Sequence, residues 1–341
     1  MEINLSQLRE ALDYVKPGLS NKEQIEQSTS FVFKGNHVFT YNGEVGISHP
    51  IPGLEFEGVI NAETFYKFLA KIPPSNKEEP QVVKATVKEQ EVVFSYGRVK
   101  SGLTLQTEIV LPLQLVEKKA VWIDLPKDFI KHLGFTMTVC SDNAGEAIYT
   151  YVHVNQIGVL EGTDGYRFLQ CQLNMELPMK SFLLPAKTAE ILIKMIPIQM
   201  AEGEGKVHFK TEGGTVISCK ISNQSFLNIS PLIPKKGIMI TLPKTIDKVL
   251  DRAMTFAKRD HTYDESISIT VVQNRLKVKA ECEAGWFEEE VNMPYDGELT
   301  SFDIAPYLLK GILSETRGCF LSKDKLKFEG TDWIYVATLK A

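Results

Sequence analysis

The sequence has no long apolar run, no paired cysteines and no excess of positive charge, and each absence excludes a class of protein. Nowhere in the 341 residues is there a stretch near the ~18 unbroken apolar residues that a membrane-spanning helix needs. The N-terminus has an acid at Glu2 and polar residues after it, which predicts no signal peptide. A net charge of −5 argues against adhesion of the whole surface to nucleic acid. We therefore expect a globular protein of the cytoplasm.

Ligand sets for metals and cofactors are also missing. The cysteines form no Cys-x-x-Cys pair, which favours reduced, buried thiols over a zinc ribbon or a disulfide framework. The six histidines show no metal-ligand spacing. The run from Gly203 to Lys206 lacks the Ser or Thr of a phosphate-binding loop and predicts a hairpin turn instead. We expect no metal and no cofactor.

What the sequence does contain is a threefold repeat of helical segments. A first series of apolar residues at helical spacing covers 5–16, 126–140 and 243–259, and a second covers 61–72, 185–196 and 303–315. The starts are 121 and 117 residues apart in the first series, and 124 and 118 in the second. Two independent series with nearly the same period predict three structural units.

Strand patterns lie between the helical segments. Those of the first unit are 31–33, 38–41 and 44–48, with a turn at Asn42-Gly43, and then 82–87, 91–95 and 103–110. The third unit repeats the pattern at 266–272 and 275–281, around Gln273-Asn274. The fold class is therefore α+β, with two helices and antiparallel strands in each unit.

Positive charge is concentrated in the helical segments. Together they carry a net charge of +5, while the whole chain carries −5. In the third-unit helix, Lys244, Lys248 and Arg252 form a basic ridge beside an apolar stripe, and Asp247 and Asp251 flank that ridge. A basic layer inside an acidic protein suits a ring that holds DNA in its bore. A single charged stripe is equally typical of a solvated helix face.

Several segments resemble one known family. The run from Gly162 to Phe168, with Thr163-Asp164-Gly165-Tyr166-Arg167, is similar to the Thr-Asp-Gly-His-Arg-Leu stretch of the bacterial sliding clamp, the beta subunit of the replicative DNA polymerase. The segments 183–188, 226–234, 302–313 and 335–336 resemble further parts of that family in the same order. The resemblance spans the whole chain.

The resemblance implies three clamp domains, at 1–120, 121–238 and 239–341, and a homodimeric ring closed head to tail. Such a ring would encircle double-stranded DNA without sequence preference. It would act as a processivity factor in DNA replication and carry no catalysis. Its partners would be the replicative polymerase, a clamp loader and other proteins with a clamp-binding motif. It would work in the cytoplasm at the replication site, or in the host cytoplasm if the chain is encoded by a phage.

The resemblance also implies two sets of site residues. A pocket for partner peptides, between the second and third domains, would comprise Thr163, Gly165, Tyr166, Arg167, Phe168, Leu227, Pro231, Leu232, Val336, Thr338 and Leu339. The second set faces DNA: to Lys244, Lys248 and Arg252 of the basic ridge, the resemblance and helix position add Lys22, Lys71, Lys187 and Lys194.

The chain departs from the family inside the pocket. Tyr166 replaces His, Phe168 replaces Leu, Leu227 replaces a Pro, and Ser230-Pro231 replaces a pair of Arg. The tail after Val336 differs as well, so the preferred peptide is expected to differ.

Two other interpretations remain open at this point. Asp164, Tyr166 and Arg167 are also an acid, a phenol and an anion anchor that could belong to a catalytic cleft. The bland alternative is that Asp164-Gly165 forms a tight turn and Arg167 a structural ion pair. The same repeats could instead build a protein-interaction adaptor that forms no ring.

Overall fold

A computed structural model describes residues 1–72, 81–143, 145 and 147–340. Each unit of about 120 residues has the same element order within these residues: a strand, a helix, four strands, a second helix and three strands. In the first unit they are β1 (Glu2–Asn4), α1 (Leu5–Val15), β2 (Ser30–Lys34), β3 (His37–Tyr41), β4 (Val45–Pro50), β5 (Gly58–Asn61), α2 (Ala62–Ala70), β6 (Val82–Lys88), β7 (Glu91–Tyr96) and β8 (Val99–Thr104).

The second unit repeats this order. It comprises β9 (Ile123–Asp124), α3 (Phe129–Met137), β10 (Tyr151–Asn155), β11 (Val159–Thr163), β12 (Arg167–Gln172), β13 (Phe182–Pro185), α4 (Ala186–Met195), β14 (Gln199–Gly203), β15 (Lys206–Lys210) and β16 (Val216–Lys220).

The third unit does so again. It comprises β17 (Ile238–Thr241), α5 (Ile246–Ala257), β18 (Ile267–Val272), β19 (Arg275–Cys282), β20 (Gly285–Asn292), β21 (Thr300–Ile304), α6 (Pro306–Lys310), β22 (Gly318–Leu321), β23 (Lys325–Glu329) and β24 (Trp333–Thr338).

The strands form antiparallel sheets of four, eight, eight and four. Their orders are β1-β6-β7-β8, then β5-β2-β3-β4-β16-β15-β14-β9, then β13-β10-β11-β12-β24-β23-β22-β17, and finally β20-β19-β18-β21. Each eight-stranded sheet takes four strands from one unit and four from the next. The chain accordingly divides into two compact parts, Met1–Ile130 with Glu190–Ser222, and Lys131–Ala189 with Asn223–Ala341. The division passes through the second unit because that unit gives half of its strands to each large sheet.

The helices form where the periodicity predicts them, but most are shorter. The Asn4 side chain caps α1, accepting from the backbone N–H groups of Ser6 at 2.9 Å and Gln7 at 3.2 Å, and Asn61 caps α2 in the same way. The predicted helix 303–315 is limited to α6, since residues 303 and 304 complete β21. No helix among the described residues is long and apolar enough to cross a membrane.

The predicted hairpins are confirmed, and one predicted strand is partly wrong. Asn42 accepts from the backbone N–H of Val45 at 2.8 Å in the β3–β4 turn, and Asn274 has a φ of 59° between β18 and β19. The strand predicted at 103–110 ends at Thr104. Beyond it Gln106 bonds to Val59 of another sheet, and the backbone N–H of Val110 donates to the Gln27 side chain at 2.9 Å. The chain leaves the sheet there because it becomes the connection to the second unit.

The cysteines are free thiols, as the sequence predicts. Cys171, Cys219 and Cys319 are buried, whereas Cys140 and Cys282 are half-buried. The predicted burial is therefore confirmed for three of the five cysteines. Burial raises the pKa of Cys171 and of Cys319 to about 12. At neutral pH these two thiols stay protonated and poorly reactive.

Candidate functional site

The turn between β11 and β12 is built by the Thr163–Arg167 sequence itself. Asp164 accepts from the backbone N–H groups of Tyr166 and Arg167, both at 3.0 Å. Thr163 donates its hydroxyl to the Arg167 carbonyl at 2.7 Å, and Gly165 has a φ of 89°, which favours glycine. The tight turn predicted at Asp164-Gly165 is confirmed.

Asp164, Thr138 and Tyr307 hold the Arg167 side chain in place. Its Nε donates to Asp164 at 2.9 Å, its Nη2 donates to the Thr138 carbonyl at 3.1 Å, and its guanidinium lies 5.2 Å from the centre of the Tyr307 ring. A Cβ on Gly311 would lie 2.8 Å from Nη1, so that glycine leaves room for the side chain. Arg167 thus forms a structural ion pair with Asp164, which fixes the guanidinium beside the turn.

Phe168 belongs to an apolar cluster. It is buried with Ile229 and Val336, and Ile233 and Ile334 pack against them. Phe168 and Val336 face each other in the β12–β24 register, while Ile229 arrives from the connection between the second and third units. Ile229 and Ile233 are not among the pocket residues predicted from the sequence. They alternate with Leu227 and Pro231, and that alternation is a pattern from which they could have been identified.

The connection that supplies Ile229 leaves other apolar side chains outside. Leu227 is 44% exposed and Leu232 46%, and Pro231 is exposed as well. Large apolar side chains held in solvent next to a packed cluster form the kind of surface that a short peptide covers.

The chain end is tied to the same turn. Thr338 donates its backbone N–H and its hydroxyl to the Tyr166 carbonyl, at 2.9 and 2.8 Å. Leu339 is half-buried, and its backbone N–H donates to the Asp324 carbonyl at 2.9 Å. The structure thus joins Tyr166 to Thr338 and Phe168 to Val336 by direct contacts. Tyr166 itself is 42% exposed.

The predicted DNA-facing lysines differ in their positions. Lys187 and Lys194 lie on α4, where Lys194 pairs with Glu190 at 2.8 Å, and Lys71 caps the end of α2. Lys22 is exposed and lies in the connection between α1 and β2, beyond the helix predicted at 5–16. A short 3-10 turn at Lys16–Gly18 follows α1.

Helix α5 buries the predicted stripe. Ile246, Val249, Leu250, Ala253 and Ala257 are all fully buried. The helix begins at Ile246, so Lys244 lies in the turn before it and not on the helix as predicted. The first turn of the predicted helix is lost because the peptide N–H of Ile246 bonds to the Pro243 carbonyl in a tighter turn.

Ion pairs decide how much positive charge α5 presents. Arg252 makes two bonds to Glu289, at 2.8 and 2.7 Å, which offsets its charge. The flanking acids are offset in turn, since Asp251 pairs with Lys310 and Asp247 with Arg317 at 3.5 Å. Within the described part of the chain, Lys244 and Lys248 form no ion pair. These two lysines, and not the whole predicted ridge, carry the free positive charge.

Sequence comparison finds no match, whereas comparison of structures finds proteins of similar fold. No family model matches, and no curated protein matches. The DNA polymerase III subunit beta from Pseudomonas aeruginosa superposes with a TM-score of 0.84 at 16% identity, over 100% of this chain and 99% of that one. The DNA polymerase sliding clamp from Bacillus subtilis gives 0.82 at 17% identity, over 100% and 98%, and the beta subunit from Thermotoga maritima gives 0.79 at 13%. The chain therefore has the α+β fold of the bacterial sliding clamps over its entire length.

Proposed function

We propose that this protein is a DNA polymerase processivity factor, a homodimeric ring that encircles duplex DNA and slides on it. Each subunit would contribute three domains, at 1–120, 121–238 and 239–341. The ring would tether the replicative polymerase and other partners through the peptide groove around Phe168 and Leu232, and a clamp loader would open it. It would carry no catalysis of its own. The proposal rests on the likeness to the sliding-clamp structures and on the unpaired edge strands of the two four-stranded sheets.

The observation that carries the ring is the repeated junction between units. Strand β4 of the first unit pairs with β16 of the second, and β12 of the second pairs with β24 of the third, each antiparallel. By position in their units, β20 corresponds to β4 and β12, and β8 corresponds to β16 and β24. Both β20 and β8 are edge strands of the four-stranded sheets. The same strand pairing thus occurs twice within the chain. The first and third units each keep one strand of that kind, β8 and β20, without its partner.

A second copy of the chain fits these edges. An unpaired edge strand is a template for another strand. The β20 edge exposes Trp286 at 72%, and the β8 edge exposes Val99 at 48%. Pairing β20 of one copy with β8 of the other, twice, makes two more eight-stranded sheets and closes the assembly with twofold symmetry. Both of these edge strands of each copy are then paired, so the assembly does not extend into an open chain of subunits.

The retention of the protein on circular DNA tests the ring. A loaded clamp is expected to stay on a nicked circle through washes at moderate salt and to leave when the circle is cut, because topology and not affinity holds it. Gel filtration of labelled protein with circular and linearised DNA measures this. Retention on linear DNA with free ends would contradict topological holding.

A second expectation concerns the free charge on the third unit. Changing Lys244 and Lys248 to Glu together is expected to impair loading and processive synthesis. The salt dependence of DNA binding should fall by about 0.9 in log–log slope for each phosphate that the variant no longer neutralises. Arg252 is left unchanged, since a glutamate there would face Glu289. The matched control reverses Lys235 and Lys236, which are exposed but lie outside the helices. Equal loss of activity in both variants would mean that α5 does not face DNA.

The alternative is an adaptor of the same fold that never closes a ring. It would use the peptide groove alone and would not need the β8 and β20 edges. A stable monomer by light scattering or native mass spectrometry favours the adaptor.

A further inference from the structure

Three rings are stacked at the surface beside the candidate groove. The Tyr166 and Tyr263 rings have centroids 5.5 Å apart and planes 6° apart, and the His261 and Tyr263 rings are 5.1 Å and 5° apart. Tyr263 is 41% exposed, and Tyr166 42%. Partly exposed aromatic rings held nearly parallel form an ordered stack at the surface.

The stack joins two segments that are far apart in the sequence. Tyr166 comes from the β11–β12 turn, while His261 and Tyr263 follow α5 in the third unit. Arg259 links the second segment to β19. It donates to the carbonyls of Lys258 and Glu281, each at 2.9 Å, and the backbone N–H of Asp264 donates to the His261 carbonyl at 3.0 Å, which closes a turn around Tyr263.

Acidic residues flank two of the rings in the chain. Asp260 and Asp264 are exposed on either side of His261 and Tyr263 in the α5–β18 connection, and the buried Glu265 follows them. The guanidinium of Arg259 donates to carbonyl oxygens, and Lys340 lies near Asp264. The face of a tyrosine ring is itself the negative end of its quadrupole. An aromatic face with carboxylates beside it attracts a cation.

We propose that His261, Tyr263 and Tyr166 form a recognition platform for a cationic side chain, arginine or lysine, of the partner peptide. The platform rests on the proposed peptide groove and extends it: Leu232 and its neighbours hold an apolar anchor, while the rings take a cation a few residues away. Tyr263 and His261 act as positioning residues that fix the orientation of the Tyr166 ring. Planar arginine stacks better than lysine on such a surface.

Peptides selected without prior assumption test the platform. A phage-displayed library of random dodecapeptides is selected on the full-length protein, and synthetic binders are titrated by fluorescence anisotropy. The expected binders carry arginine or lysine at a fixed distance from an apolar residue. Tyr263→Ala is expected to weaken them about five- to thirtyfold. Thr262→Ala is the matched control, because it changes an exposed residue of the same connection and removes no ring.

A double-mutant cycle gives the deciding measurement. If the peptide cation contacts the platform, replacing it with glutamine costs affinity in the wild type and little in Tyr263→Ala. Asp260→Asn with Asp264→Asn is expected to weaken the same peptides without affecting variants that lack the cation. If the selected peptides lack a cation, or if the losses of affinity from the peptide change and from Tyr263→Ala simply add, the platform is overturned and the proposed groove is not. Absence of any peptide whose binding depends on Leu232 would overturn the groove and the platform with it.

Discussion

If the chain forms the proposed dimer, replacing Lys100 by proline is expected to turn it into a monomer while each subunit stays folded. In an antiparallel pair the backbone groups of successive residues point alternately toward and away from the neighbouring strand. The backbone N–H of Leu105 donates to the Gln90 carbonyl at 2.8 Å, so the odd-numbered residues of β8 and its continuation face β7. The N–H of Lys100 therefore points to the free edge, where proline removes a donor and adds a bulky ring.

The loss should be large, because the proposed junction between β8 and β20 is a continuous ladder. A proline in the middle of it interrupts the pairing with β20 of the second copy, and disrupting such a central site commonly costs ~2 kcal/mol or more, roughly thirtyfold in dissociation constant. The effect occurs twice in a closed dimer, once at each junction.

Light scattering after gel filtration, over a range of protein concentrations, measures the change. Lys100→Ala is the matched control, since it removes the same side chain but keeps the backbone donor, and circular dichroism checks the fold. A Lys100→Pro variant that remains a dimer at every concentration would show that β8 does not form the subunit contact.

Phe168→Ala and Leu232→Ala are expected to separate folding from peptide binding. Phe168 is 5% exposed and packs against Ile229 and Val336, so its loss should lower the free energy of unfolding by about 3–5 kcal/mol. Leu232 is 46% exposed, and its truncation should leave stability nearly unchanged. The same truncation should weaken a partner peptide by ~2 kcal/mol, about thirtyfold.

Urea unfolding and calorimetric titration with the C-terminal peptide of the cognate polymerase measure the two effects. Leu299→Ala is the control for peptide binding, because Leu299 is 68% exposed in the β20–β21 connection, away from the cluster. Unchanged peptide affinity in a folded Leu232→Ala protein would mean that the groove lies elsewhere. The sequence predicted Phe168 as a lining residue of the pocket, yet its burial places it in the core that supports the exposed side chains.

Local patterns in the sequence determined the repeat and most of its elements. The spacing of apolar residues located six helices and identified the buried face of α5 residue by residue, because a helix must bury its apolar stripe whatever packs on it. Asn42-Gly43, Asp164-Gly165 and Gln273-Asn274 fixed their turns, since the backbone conformation there is set by the residues themselves.

Tertiary structure decided what each element meets, and the candidate site depends on that. The pairing of β4 with β16 joins Val45 to Cys219, and no local pattern records such a partner. Whether Arg252 is a free cation depended on Glu289, and whether Phe168 is open depended on Ile229. The aromatic stack required Tyr166 and Tyr263 to meet from two units. Periodicity shows which face of an element is apolar, but burial, ion pairing and stacking are properties of pairs of residues, and long-range pairs exist only once the chain has folded.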